Sequence, residues 1–182
     1  MSALHKQLFA VAVAVAAVIG LAGSPAAQDA KKEAAKGALA GNDLKYLRQM
    51  AQANMAEVEA GKLGASKASS DEVKKFAQHM VDDHSKALSE NRSLAKSKKV
   101  QAPKTPMKKH QEAKKKLEST PGAGFDKAFM QQMVKDHQDA LKLHQDAARN
   151  AKDKELKAAA EKGVPVIEKH LEDAKRISAS LK

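Results

Sequence analysis

The chain has 182 residues, enough for one domain with a sizeable core. It contains no cysteine, which excludes disulfides, zinc–thiolate sites and iron–sulfur clusters. With 33 basic and 22 acidic residues, its formal net charge of +11 favours anionic partners such as envelope polymers or acidic lipids. Aromatic residues make up only 3% of the chain, too few for stacking on bases, so no nucleic-acid partner is expected.

The N-terminal segment has the pattern of an export signal. Lys6 precedes an apolar run over residues 8–21, and small residues follow at 24–27. This run is shorter than the roughly 20 residues that a membrane span needs. We therefore predict a signal peptide over residues 1–27, cleaved after Ala26 or Ala27, with an uncleaved anchor as the alternative. The predicted location is the periplasm or outer envelope, and no later run could span a membrane.

Residues 28–41 are rich in Ala, Lys and Gly and are predicted to be a linker, with a frayed helix as the alternative. After them, apolar residues recur at three- and four-residue spacing, and no stretch alternates with a period of two. Ser69 and Glu72 form a capping-box pattern, and Pro165 is expected to kink the last helix. The predicted helices cover residues 42–68, 70–98, 105–119, 125–150 and 153 to the end.

Four of the five predicted helices are long and similar in length, whereas the third is short. Tight turns near Ser69 and Lys152 make the first pair and the last pair antiparallel. The middle connection is long enough to climb the height of a bundle. This pattern predicts a ferritin-like four-helix bundle over residues 42–182, with a short crossover helix between the second and third long helices. An up-down bundle without that crossover is the alternative.

Two of the predicted helices carry the same sequence pattern. Residues 76–88 read FAQHMVDDHSKAL and residues 129–141 read FMQQMVKDHQDAL. Phe, Gln, Met-Val, Asp-His and Ala-Leu recur at the same offsets. The repeat indicates equivalent sites on two helices, and duplication without retained function is the alternative explanation.

His84, His137 and His170 lie in the apolar stripes of three different helices. Counting residues from the tight turns places each near the middle of its helix, within about one turn of Glu57. These four residues are therefore predicted to form one layer across the core. Three nitrogens and one oxygen suit a single Cu, Zn or Fe ion. A hydrogen-bonded polar core without metal is the alternative.

Other residues near the predicted layer are secondary candidates. Met80 and Met133 lie one turn from their histidines and would favour Cu(I), although core filling is the preferred interpretation. His110 and His144 are further secondary ligands. The remaining polar neighbours, His79, Asp83 and Asp136, are predicted to lie on the surface. For the two aspartates the alternative is that they support the ligands of the site.

The sequence favours a non-catalytic role. Val81 and Val134 stand where a di-iron enzyme carries the glutamates of its two Glu-x-x-His motifs, and no nucleophile motif or phosphate loop is present. We therefore predict an envelope protein with a role in metal homeostasis or stress. A structural protein that binds polyanions through its lysines is the first alternative, and a redox enzyme is the second.

Several of these segments occur together in one order. EVEAGKLG at 57–64 is followed by VKKFAQHMVDDH at 73–84, then by His110 and by GFDKAF at 124–129. Asp136-His137, Val164-Pro165 and His170 complete the set. Over residues 42–177 the chain resembles the bacterial family called domain of unknown function 4142. That resemblance implies a ferritin-like fold and a periplasmic or outer-membrane location, and it supplies no activity.

Overall fold

The structure, a computed structural model, describes Leu39 and residues 41–181. The predicted signal peptide and nearly all of the predicted linker lie outside the described residues. Within the described part, all regular structure is α-helical, and none of these helices is long and apolar enough to cross a membrane. The helices are α1 (Gly41–Lys67), α2 (Asp71–Ser97), α3 (Lys108–Ser119), α4 (Gly122–Asn150) and α5 (Lys154–Ser180).

Two buried aspartates tie the helix hairpins together. Asp126, near the start of α4, accepts hydrogen bonds from the backbone N–H groups of Ser69 and Ser70 in the α1–α2 turn, the shortest at 2.7 Å. Asp43, near the start of α1, accepts the N–H groups of Lys152 and Asp153 in the α4–α5 turn, the shortest at 2.8 Å. The first helix of each hairpin, α1 or α4, therefore begins beside the turn of the other hairpin, and α1 and α4 run antiparallel.

This arrangement requires the crossover that the sequence predicts. Lys98, just after α2, pairs with Asp153 at 2.8 Å and with Glu155 at 3.0 Å at the start of α5, so α2 and α5 are also antiparallel. The chain then climbs from the end of α2 to the start of α4, and α3 packs on α1 and α4 along this connection. The predicted ferritin-like bundle, four long helices with a short crossover helix, is confirmed.

Some local predictions were wrong. Ser70, not Ser69, caps α2, and it makes no side-chain capping bond. The backbone N–H groups of Ser69 and Ser70 donate instead to Asp126. Helix α3 begins at Lys108, three residues later than predicted, and α4 begins at Gly122 rather than Phe125. Helix α5 continues through Pro165 to Ser180, so the proline does not end the helix, and the kink expected there stays a prediction.

Two apolar clusters occupy the ends of the core. One, near the α1–α2 turn, contains Phe76, Phe125 and Phe129, and α1 approaches so closely there that a Cβ at Gly64 would lie 2.6 Å from the Phe129 ring. The other, near the α4–α5 turn, includes Leu47, Met50, Ala147 and Leu156. The histidines lie between these clusters along α2, α4 and α5, so a polar layer crosses the middle of the bundle.

Candidate metal centre

The structure brings His84, His137 and His170 together from three helices. Their ring centroids lie 5.4–5.6 Å apart. Each ring offers one nitrogen, and the three nitrogens all lie within 4.8 Å of one another. All three side chains are buried, with His137 fully excluded from solvent. The heights estimated by counting residues from the turns thus placed the three histidines correctly.

A hydrogen bond fixes one nitrogen of each imidazole. His84 Nδ1 donates to Asn54 Oδ1 at 2.7 Å, and His137 Nδ1 donates to the Met133 carbonyl one turn earlier at 2.8 Å. His170 Nε2 donates to Asp83 Oδ2 at 3.0 Å. Since a carbonyl, an amide oxygen and a carboxylate can only accept, the bonded nitrogen carries the hydrogen in each neutral ring.

The other nitrogen of each ring carries a lone pair and has no partner. His84 Nε2, His137 Nε2 and His170 Nδ1 are all buried without a hydrogen bond. A buried acceptor without a partner costs on the order of 1–3 kcal/mol. Three such atoms lie together here, and the hydrogen bond on the other nitrogen of each ring fixes its orientation. Histidines that bind a metal are usually held in this way.

Burial keeps these rings uncharged at neutral pH. Desolvation lowers the pKa of His137 from 6.5 to about 4, against the raising effect of its bond to Met133. Burial also lowers the pKa of His84 strongly, and the neighbouring imidazoles lower it further. The pKa of His170 is lowered by burial as well, although Asp83 opposes the shift. Neutral imidazole is the form that binds metal, so protons compete weakly here.

Glu57 is buried but does not belong to the group of three nitrogens. Its Oε2 has no hydrogen-bond partner, and desolvation, followed by the charge of Asp136, raises its pKa well above 4.5. Asn54, about one turn earlier on α1, contacts the layer through its hydrogen bond with His84. Sequence reasoning missed Asn54 because a single Asn between apolar residues gives no periodic signal. Ligation by Glu57 stays a prediction.

Of the two repeated aspartates, both expected on the surface, Asp83 is exposed and Asp136 is buried. Asp83 binds His170, and Asp136 is buried, accepts a bond from Gln132 Nε2 at 2.9 Å and lies 3.5 Å from His110 Nδ1. One residue of rotation from an inward histidine places each carboxylate beside an adjacent helix, where the exposed Asp83 reaches His170 and the buried Asp136 lies beside His110. His110 is therefore buried beside α4, outside the three-histidine group.

The remaining candidates occupy distinct surroundings. Met80 and Met133 are fully buried in the apolar cluster of the phenylalanines, which supports the interpretation that they fill the core. His144 is buried and lines a cavity beside His84, and its Nδ1 donates to the Ala140 carbonyl at 2.9 Å. His79 is exposed, as expected.

Solved structures of a protein called CopM share this fold. CopM in its Cu(II)-bound form is 17% identical, with a TM-score of 0.66 over 77% of this chain and 97% of CopM. CopM in its Cu(I)-bound form is 19% identical, with a TM-score of 0.62 over 74% and 93% of the two chains. No curated protein sequence matches this chain. The sequence profile described as domain of unknown function (DUF4142) matches residues 28–177.

Proposed function

This chain belongs to the DUF4142 family, and from its layer of imidazoles we propose that it binds one copper ion through His84 Nε2, His137 Nε2 and His170 Nδ1. The observation that carries the proposal is that these three lone-pair nitrogens converge, unpartnered, in a buried layer. Hydrogen bonds to Asn54 and Asp83 support the outer side of two of the rings.

The ligand set favours copper over the other two ions considered. Imidazole suits copper, zinc and iron, and among divalent ions Cu²⁺ binds such donors most tightly. The group contains no carboxylate, and a site without negative charge in a dry core disfavours a high ionic charge, which suits Cu(I). The copper-bound forms of CopM, which share the fold, also support copper. Zn and Fe are the alternatives that a competition experiment would reveal.

Metal binding is tested by titrating the metal-free chain with Cu(II), and with Cu(I) under anaerobic conditions against a chromogenic chelator. We expect one ion per chain in the wild type. In His137→Gln and His170→Gln the affinity should fall by at least about 100-fold, since each loses a direct ligand. His79→Gln removes an exposed histidine from α2 and should bind as the wild type does. Equal copper content in the wild type and His137→Gln would contradict the proposal.

Two further variants separate ligands from supporting residues. Asn54→Ala leaves the three nitrogens in place but removes the acceptor that orients His84, so its affinity should fall by about 10- to 100-fold. Glu57→Gln tests the fourth ligand predicted from sequence. A loss comparable to that of His137→Gln would add Glu57 to the site, whereas wild-type affinity would restrict the site to the imidazoles.

We further propose an exported protein with a non-catalytic role in metal homeostasis or stress. The predicted signal peptide over residues 1–27 supports export. Export is tested by fractionating cells that express the full-length chain and determining the N-terminus of the recovered protein by mass spectrometry. A mature chain that begins at Ala27 or Gln28 would support export, whereas retention in the cytoplasm with residues 1–27 intact would contradict it.

The excess of lysine supports binding to anionic envelope components as a second candidate. Such binding depends on exposed charges and should weaken steeply with salt. Sedimentation of the metal-free chain with vesicles that contain anionic lipid tests it at low and high ionic strength. Binding that does not respond to salt, or none at low salt, would contradict this second candidate.

A further inference from the structure

A cavity of about 150 Å³ opens between α2 and α5, directly beside the three-histidine layer. His84 and Asn54 line its inner wall, and Met50, Asn91 and His144 line it farther along the bundle. Because His84 belongs both to the cavity wall and to the group of ligands, this cavity reaches the candidate metal centre from the side. The polar atoms of its lining include Asn91 Nδ2, which is buried without a hydrogen-bond partner.

His144 is prepared for binding in the same way as His137. It lies about two turns after His137 on α4, and in both residues Nδ1 donates to the carbonyl one turn earlier. The hydrogen is thereby placed on Nδ1, which leaves the lone pair on Nε2. The ring of His144 fits against Gly163 of α5, where an added Cβ would lie 2.6 Å from His144 Cδ2 and 3.0 Å from Nε2. The absence of a side chain at 163 makes room for this imidazole.

The outer end of the cavity carries charged groups that can move. Glu90 of α2 and Lys162 of α5 form an ion pair of 2.8 Å across it, and both side chains are substantially exposed. Exposed pairs of this kind contribute at most about 1 kcal/mol, so rotation of either side chain opens the path at little cost. Asp83, which also lines the cavity, adds a second carboxylate that attracts cations.

We propose that this cavity is the route by which the metal ion reaches the three-histidine site, and that His144 binds the ion in transit. The inference rests on the proposed copper function and adds an access path and a residue to it. On this route an ion would pass the Glu90–Lys162 pair, and His144 Nε2 would hold it before it reaches the three-histidine site. His144 is thus a transient ligand, and the final site does not require it.

The test is stopped-flow mixing of the metal-free full-length chain with aqueous Cu(II), followed by the absorption of the copper–imidazole complex. His144→Gln should still bind one ion at equilibrium but load at least about tenfold more slowly, a barrier higher by about 1.4 kcal/mol. Gly163→Ala keeps the histidine but displaces its ring, and it should also slow loading. His79→Gln is the matched control and should load at the wild-type rate.

A failure of the proposed route can be distinguished from a failure of the proposed copper binding. If His144→Gln and Gly163→Ala, each shown to be folded by circular dichroism, load at the wild-type rate, the route is wrong while copper binding stands. A loss of equilibrium binding in both variants, as large as that in His137→Gln, would also overturn the proposal, because His144 would then be a permanent ligand. A wild type that binds no copper would contradict the proposed function, and the route with it.

Discussion

Lowering the pH should destabilise the metal-free protein through its buried histidines, and His137 gives the size of the effect. Its pKa is 6.5 in an unfolded chain and about 4 in the folded protein. Between these values the unfolded chain binds a proton that the folded protein excludes, so stability falls as the pH falls. A shift from 6.5 to about 4 at 1.36 kcal/mol per pKa unit gives a loss of about 3 kcal/mol over that range.

Urea unfolding of the metal-free chain, followed by circular dichroism between about pH 7 and pH 4, measures this loss. His137→Gln should lower the pH dependence by about 3 kcal/mol relative to wild type, whatever its absolute stability. Glu57, whose raised pKa acts in the opposite direction, is present in both proteins and cancels in the comparison. His79→Gln should keep the full wild-type slope. An unchanged slope in His137→Gln would refute the reasoning, because it would mean that this imidazole is hydrated or charged in the folded protein.

Three further predictions concern the bundle, all measured by urea unfolding of the metal-free chain at neutral pH unless stated. Asp126→Ala should cost about 3 kcal/mol, because the backbone N–H groups of the α1–α2 turn lose a charged acceptor; an effect below that of exposed Asp71→Ala would contradict this. Gly64→Ala should destabilise the fold by about 1–3 kcal/mol, because the new Cβ would overlap the Phe129 ring, although alanine has the better helix propensity. A gain in stability would show that the ring moves freely. Glu57→Gln should stabilise at neutral pH but not below about pH 4.5, since a raised pKa means that burial disfavours the carboxylate; equal effects at both pH values would exclude a titrating group.

The sequence predicted the histidine layer because a helix repeats its faces regularly. An error of one residue rotates a side chain by about 100°, so apolar neighbours at three- and four-residue spacing identify an inward histidine reliably. The position of a residue along the bundle axis is less certain. If the end of a helix is misplaced by one turn, its residues shift by about 5.4 Å relative to the neighbouring helix. That uncertainty explains why Asn54 was not predicted to contact the layer. The capping box at Ser69 was also wrong, and the bond from this turn to Asp126 could not be foreseen because the two residues are 57 apart in sequence.

The internal repeat contains two of the three converging histidines, His84 and His137, but does not reveal the third. Both copies place an inward histidine beside an aspartate that contacts a further histidine: Asp83 binds His170, and Asp136 lies beside His110. The partners differ because of the helices that carry them. Helix α5 spans the bundle and brings His170 to mid-height, with its free nitrogen toward the other two rings, whereas His110 sits on the short crossover helix and its buried Nε2 stays outside the group.

The asymmetry of the metal centre therefore follows from the connection between the hairpins rather than from the repeated segments. If the repeat alone made the site, His110 and His170 would be equivalent. The geometry instead makes His170→Gln the damaging substitution for metal affinity, and His110→Gln its matched buried control. If both variants lost affinity equally, the crossover helix would contribute a residue to the metal centre. His110 would then lie closer to the three imidazoles in the metal-bound protein than it does in this structure.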